Sequence, residues 1–134
     1  MADFEGQWTY IRQIDDRTGL GQGQGAGEAV FTLDAAGLRY DESGTMAFAT
    51  TPRMKNTRSY LWRLAPRGIA VFFEDGRPFH TVDPGQGQPR AEHWCDPDQY
   101  DVTYDFSAWP AWSSTWRVRG PRKDYAMFTW YSRA

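Results

Sequence analysis

Apolar and polar residues alternate with a period of two along most of this chain, and helical periodicity is nearly absent. A pleated strand sends successive side chains to opposite faces, so such a pattern has one face to bury per segment and asks for strands. The first runs over about residues 6–15 and ends in the turn cluster Asp15-Asp16-Arg17-Thr18-Gly19. A second leads into Glu28-Ala29-Val30-Phe31-Thr32-Leu33, and Asp34-Ala35-Ala36-Gly37 turns the chain into a third over 38–48. Thr50-Thr51-Pro52-Arg53 breaks it before a fourth over 56–64, and 69–74 is the most apolar strand. Asp75-Gly76 is a hairpin signal that returns through 78–82. Two further pairs follow, 91–96 with 99–106 and 114–119 with 125–133, while Trp109-Pro110-Ala111-Trp112 reads as a crossing of an open corner. That makes about ten strands on links too short for a crossover helix, hence an antiparallel, up-and-down, all-β arrangement. Ten such strands in one domain of 134 residues close most readily into a barrel, which also removes exposed edges.

The glycines of Gly19-Leu20-Gly21-Gln22-Gly23-Gln24-Gly25-Ala26-Gly27 occupy every second position. On a strand they would give a bare face for bulky rings or a ligand; as a loop they would be a flexible hairpin. Both readings stand at this point. Pro84 to Pro89 is the longest polar loop and the best candidate for a mobile segment.

Net charge is -2 with both signs interspersed, so neither a nucleic-acid nor a membrane-surface role has an electrostatic footprint. No apolar stretch approaches the ~20 residues that span a bilayer. Met1 to Glu5 has neither a basic head nor an apolar run, and Cys95 is the single cysteine, so a reducing cytoplasm is the expected location. Aromatic residues make up 16% of the chain, seven of them Trp, enough to favour sheet and to line an apolar cavity.

Gly6-Gln7-Trp8 heads the first strand. This opening resembles that of lipocalin-type (calycin) barrels, which implies a Trp8 that plugs the closed end and a Gly6 that lets another backbone approach it. Arg58-Ser59-Tyr60-Leu61-Trp62, the run Phe73 to His80, His93-Trp94-Cys95, Tyr104-Asp105-Phe106 and the run Trp116 to Tyr125 extend the likeness over nearly the whole chain. Together they resemble a bacterial domain-of-unknown-function family of small lipocalin-like proteins. The family carries no established activity, so the resemblance implies a calycin-like barrel and nothing further. Ten-stranded barrels of the fatty-acid-binding and nitrobindin kinds are similar in plan.

If Trp8 points inward, Tyr10, Arg12 and Ile14 share its face, and a lumen arginine requires a partner. Glu42, on the face of Leu38, Tyr40 and Met46, is the candidate, and Arg58, Tyr60 and Trp62 share a face of the next strand. Arg12, Glu42 and Arg58 are therefore expected to converge. They would bind a carboxylate or another polar head group, or else form an internal salt bridge at one barrel end with an arginine packed on Trp8. Tyr60, Trp62, His80, His93 and Tyr104 are expected around the same cavity. His80, His93 and Cys95 lack a second close pair, so no metal is expected, and no cofactor; haem is a minor option that would need one of the histidines. Glu74 and Arg77 are expected to pair across their turn.

The leading expectation is a lumen that binds an aromatic or acyl small molecule with an acidic group. A rival is a lumen enzyme, decarboxylase- or isomerase-like, in which Arg58 or Arg12 holds a carboxylate, Tyr60 orients it, and Glu42 or His80 moves a proton. A third reading is an interaction or structural barrel with a filled core and a homodimer or partner patch of Trp109, Trp112 and Trp130.

Overall fold

The computed structural model describes residues 1–134. A short 3-10 turn, Ala2–Phe4, precedes ten strands: β1 Gly6–Asp16, β2 Gly21–Asp34, β3 Gly37–Phe48, β4 Met54–Ala65, β5 Gly68–Phe73, β6 Pro78–Val82, β7 Arg90–Cys95, β8 Asp98–Asp105, β9 Trp112–Arg119 and β10 Asp124–Arg133. All ten join one antiparallel sheet in the order β6-β5-β4-β3-β2-β1-β10-β9-β8-β7. Chain neighbours are sheet neighbours throughout, except that β1 also pairs with β10 and β6 lies beside β7 without a hydrogen-bonded ladder. The result is the expected up-and-down barrel, closed except along the β6–β7 seam. Beside this seam the 83–89 loop is tied along β8, whose Tyr104 and whose following Phe106 donate backbone N–H groups to Pro89 and Gly87.

The interior follows from the period-two pattern. Trp8, Tyr10 and Arg12 alternate inward on β1, Leu38, Tyr40 and Glu42 on β3, and Trp112, Ser114, Trp116 and Val118 on β9. Trp8 is 0% exposed at the closed end, and its indole N–H donates to the Phe4 carbonyl at 2.9 Å. The arginine packed on it is Arg133, with its guanidinium 4.0 Å from the ring centroid. This corrects two expectations at once. The lumen arginines do not cover Trp8, and the group that approaches Gly6 is that guanidinium rather than another backbone. Gly6 itself has φ +118°, a conformation side-chain-bearing residues rarely adopt.

The glycine run is an ordered strand, because β2 starts at Gly21 and pairs along its length with β1 and β3. Its bare face receives side chains: a Cβ at Gly23 would stand 2.6 Å from the Phe48 ring. Trp112 opens β9 instead of crossing a corner. It is 4% exposed, its ring stacked on Tyr131 with centroids 3.8 Å apart. Trp109 is 39% exposed and covers Phe4 and Trp8, while Trp130 is on the outer wall opposite Ile11. The three tryptophans therefore form no common patch. Nor do Glu74 and Arg77 pair: Arg77 donates to Asp75 at 2.8 Å, and Glu74 accepts from Arg39 at 2.7 Å. The turn puts Arg77 back over its own Asx loop. No helix is long and apolar enough to cross a membrane.

Candidate functional site

Alternation on β1 and β3 sends Arg12 and Glu42 into the barrel, where both are almost fully buried. The guanidinium grips the carboxylate with both forks, Nη1 to Oε2 at 2.6 Å and Nη2 to Oε1 at 3.0 Å, and its Nε donates to Thr129 Oγ1 at 2.9 Å. Tyr40 donates to Oε1 at 2.7 Å, and the Tyr40 and Tyr131 hydroxyls lie 2.9 Å apart. Burial opposes ionisation of Glu42, but the Arg12 fork and the Tyr40 hydroxyl outweigh it and hold the carboxyl below its ordinary range. Burial raises both tyrosines, Tyr131 to about 12. The network therefore contains one cation, one anion and neutral hydroxyls.

Arg58 is the register partner of Glu42 on β4, so its side chain enters the same space. No carboxylate lies within ion-pair distance of its guanidinium, which sits 5.6 Å from the Trp116 ring centroid. Burial works against its charge, yet the nearby Tyr60 hydroxyl and Glu42 keep it cationic. Arg12, Glu42 and Arg58 do come together, as expected, with Arg58 as the unpaired member. Two cations and one anion leave the lumen with one net positive charge.

Tyr60, Trp62, His80 and Tyr104 line this cavity too. His80 Nε2 and the Tyr104 hydroxyl are 2.8 Å apart, and burial first, then the nearby His93, depress the imidazole to about 3. His93 departs from expectation. It faces Phe73, Phe79 and Tyr100 near the β7–β8 turn, half-buried and outside the cavity lining, because β7 lies at the sheet edge and its inward residues cover the rim. At His80, Nε2 is engaged by Tyr104 and Nδ1 is buried without a hydrogen-bond partner. For proton transfer the geometry is equally restrictive: Glu42 has both oxygens in the Arg12 fork, and His80 is a weak base.

Reading the sequence missed Tyr40 and Tyr131 as members of the site, along with Thr129, Trp112 and Trp116. Tyr40 shares the face of Glu42 on β3, and the alternation of the other four on β9 and β10 was visible; what it lacked was the cross-barrel pairing that brings β10 beside β1. The free space between these side chains is about 30 Å³, roughly one water's share of volume. A shallow depression of about 450 Å³ adjoins it on the outside, bounded by Ser59, Phe73, Glu74 and Asp75. Arg58 and Tyr60 border both spaces.

The chain belongs to a family of unknown function (DUF6314), whose model matches residues 4–133. This bears out the resemblance to a family of unknown function with a calycin-type barrel. No curated protein sequence matches the chain. Among solved structures, the S-type phycobiliprotein lyase CpeS from Guillardia theta aligns with a TM-score of 0.68, over 99% of this chain and 89% of that one, at 11% identity. At that identity the likeness is one of fold. An AttH candidate from Nitrosomonas europaea aligns over 98% of this chain and 51% of that one, at 10% identity and a TM-score of 0.34.

Proposed function

We propose that this barrel binds a small aromatic or acyl molecule through an acidic group seated against Arg58. The observation that carries the reading is the charge imbalance: Arg12 and Glu42 neutralise each other, and Arg58 remains without a carboxylate. A largely buried cation costs solvation free energy, and an anion brought to it recovers that cost with a charge-assisted, bidentate contact. Tyr60, Trp62 and Trp116 supply flat apolar surface for the rest of the molecule. With about 30 Å³ free, a ligand enters by displacing ring side chains, and the wall shared by Arg58 and Tyr60 is where the outer depression meets the lumen. The CpeS likeness supports a barrel of this kind and leaves the ligand to be found by experiment.

Titration of intrinsic Trp fluorescence with benzoate, 2-naphthoate and medium-chain fatty acids, each beside its neutral primary amide, tests the reading. The acids should bind at micromolar levels and the amides at least tenfold more weakly, and Arg58→Gln should erase the difference. Native mass spectrometry of the purified protein supplies an independent check on co-purified acids. Failure of every acid to bind would remove the reading.

A further inference from the structure

The hydrogen-bond chain that starts at Glu42 has only one possible polarity, and that polarity bears on what the lumen accepts. An ionised Glu42 has no proton to give, so the 2.7 Å contact at Oε1 is donated by Tyr40. Tyr40 has a single proton, now committed, so the 2.9 Å contact between the two hydroxyls is donated by Tyr131. The Tyr131 proton is thereby committed as well. Tyr131 lines the cavity, and its oxygen is left with acceptor capacity and no protein donor. The ring stacked on Tyr131 carries the complementary group: the Trp112 indole N–H is buried, with no acceptor in the protein. An indole nitrogen can only donate. The wall formed by β9 and β10 thus presents an unused acceptor and an unused donor on two stacked rings, and Arg58 presents an unpaired cation from β4.

We infer that the ligand of this lumen is a hydroxylated acid: its anion meets Arg58 and its hydroxyl meets the Tyr131 oxygen, with Trp112 as a further donor to that hydroxyl. This rests on the acid-binding reading and narrows it. A hydroxyl both donates and accepts, so one group satisfies both wall atoms, whereas an ether or a carbonyl leaves the Tyr131 oxygen unmet and an alkyl group leaves both. The discrimination arises from the cost of burying polar atoms without partners, which is the term that makes hydrogen-bonding sites selective.

Matched probes separate this inference from the reading beneath it. The 3- and 4-hydroxybenzoates are titrated against the intact protein beside 3- and 4-methoxybenzoate, which keep the oxygen and lose the donor. At least one hydroxylated isomer should bind tenfold or more tightly than its methoxy counterpart. Tyr131→Phe keeps the stacked ring and removes the acceptor oxygen, which moves the nearest acceptor back to Tyr40, and the tenfold ratio should fall towards one. If hydroxy and methoxy acids bind alike, or the ratio persists in Tyr131→Phe, the inference fails and acid binding stands. If no acid binds while circular dichroism shows a folded barrel, both fail.

Discussion

Arg12 on β1 and Glu42 on β3 meet across an intervening strand, because β2 shows the lumen only Gly25, Gly27 and Ala29 between them. Arg12 is in register with Gly25, and Glu42 with Ala29. The bare stretch takes the Met46 side chain at Gly25 and the Tyr10 hydroxyl at Gly27, and the Arg12 guanidinium sits 4.6 Å from the Tyr10 ring centroid as it reaches a carboxylate two strands away. The alternate glycines leave β2 without a large side chain in the span between the two partners. Such a pair is costly to break from one side, since removal of either partner strands a buried charge.

Glu42→Ala should accordingly lower stability by about 3–5 kcal/mol, and the double variant Arg12→Met with Glu42→Leu should cost less than the single one. Urea denaturation followed by Trp fluorescence measures both. A loss below about 1 kcal/mol for Glu42→Ala would mean that the pair is solvated and unimportant to the fold.

The bare face of β2 is itself open to test. A Cβ at Gly25 would stand 2.5 Å from the Thr45 carbonyl oxygen and 2.8 Å from the Met46 methyl, so the backbone has to shift to admit it. Gly25→Ala should cost on the order of 1–3 kcal/mol, as overpacking does. Gly87 is the control: a Cβ there would meet nothing within 4 Å, so the position should tolerate Ala. Equal stability of the two variants would contradict the close approach.

Most of the wall was legible in the sequence because the signal was local. Alternation placed Arg12, Glu42, Arg58, Tyr60 and Trp62 correctly inward, and turn residues placed the hairpins. What failed was relational. Which arginine covers Trp8 depends on β1 pairing with β10, a contact between chain ends that brings Arg133 across from Trp8. Whether His93 reaches the lumen depends on β7 being a sheet edge. Strand spacing cannot choose between Asp75 and Glu74 as the partner of Arg77, and side-chain reach decided it.

Stability should fall on mild acidification, and His80 is the reason. Its folded-state pKa, near 3, lies below the ordinary 6.5, so the folded state binds fewer protons than the unfolded chain between those values. The contribution is complete above about pH 6.5 and is lost progressively as pH falls towards 3. Glu42 acts in the same direction at lower pH, its folded pKa being held below the ordinary 4.5. His80→Gln, which retains a polar partner for Tyr104, should flatten the slope of unfolding free energy between pH 6 and 4 relative to the parent (roughly 1 kcal/mol per pH unit removed). An unchanged slope would show that His80 titrates normally in the folded protein.

Arg58 offers the sharpest separation of site from scaffold. An arginine that held the barrel together through a salt bridge would destabilise the protein when removed. Arg58 instead carries a charge that burial opposes and that the Tyr60 hydroxyl and Glu42 sustain from beyond ion-pair distance, beside the Trp116 ring. Arg58→Met keeps the length and apolar stem and removes the charge, so it should change stability by less than about 1 kcal/mol while it abolishes acid binding. Loss of binding without loss of stability is what a functional group, as opposed to a scaffold group, should show. A loss of stability greater than about 1 kcal/mol in the variant would assign Arg58 to the scaffold, with its cation–π contact to Trp116 as the interaction that matters.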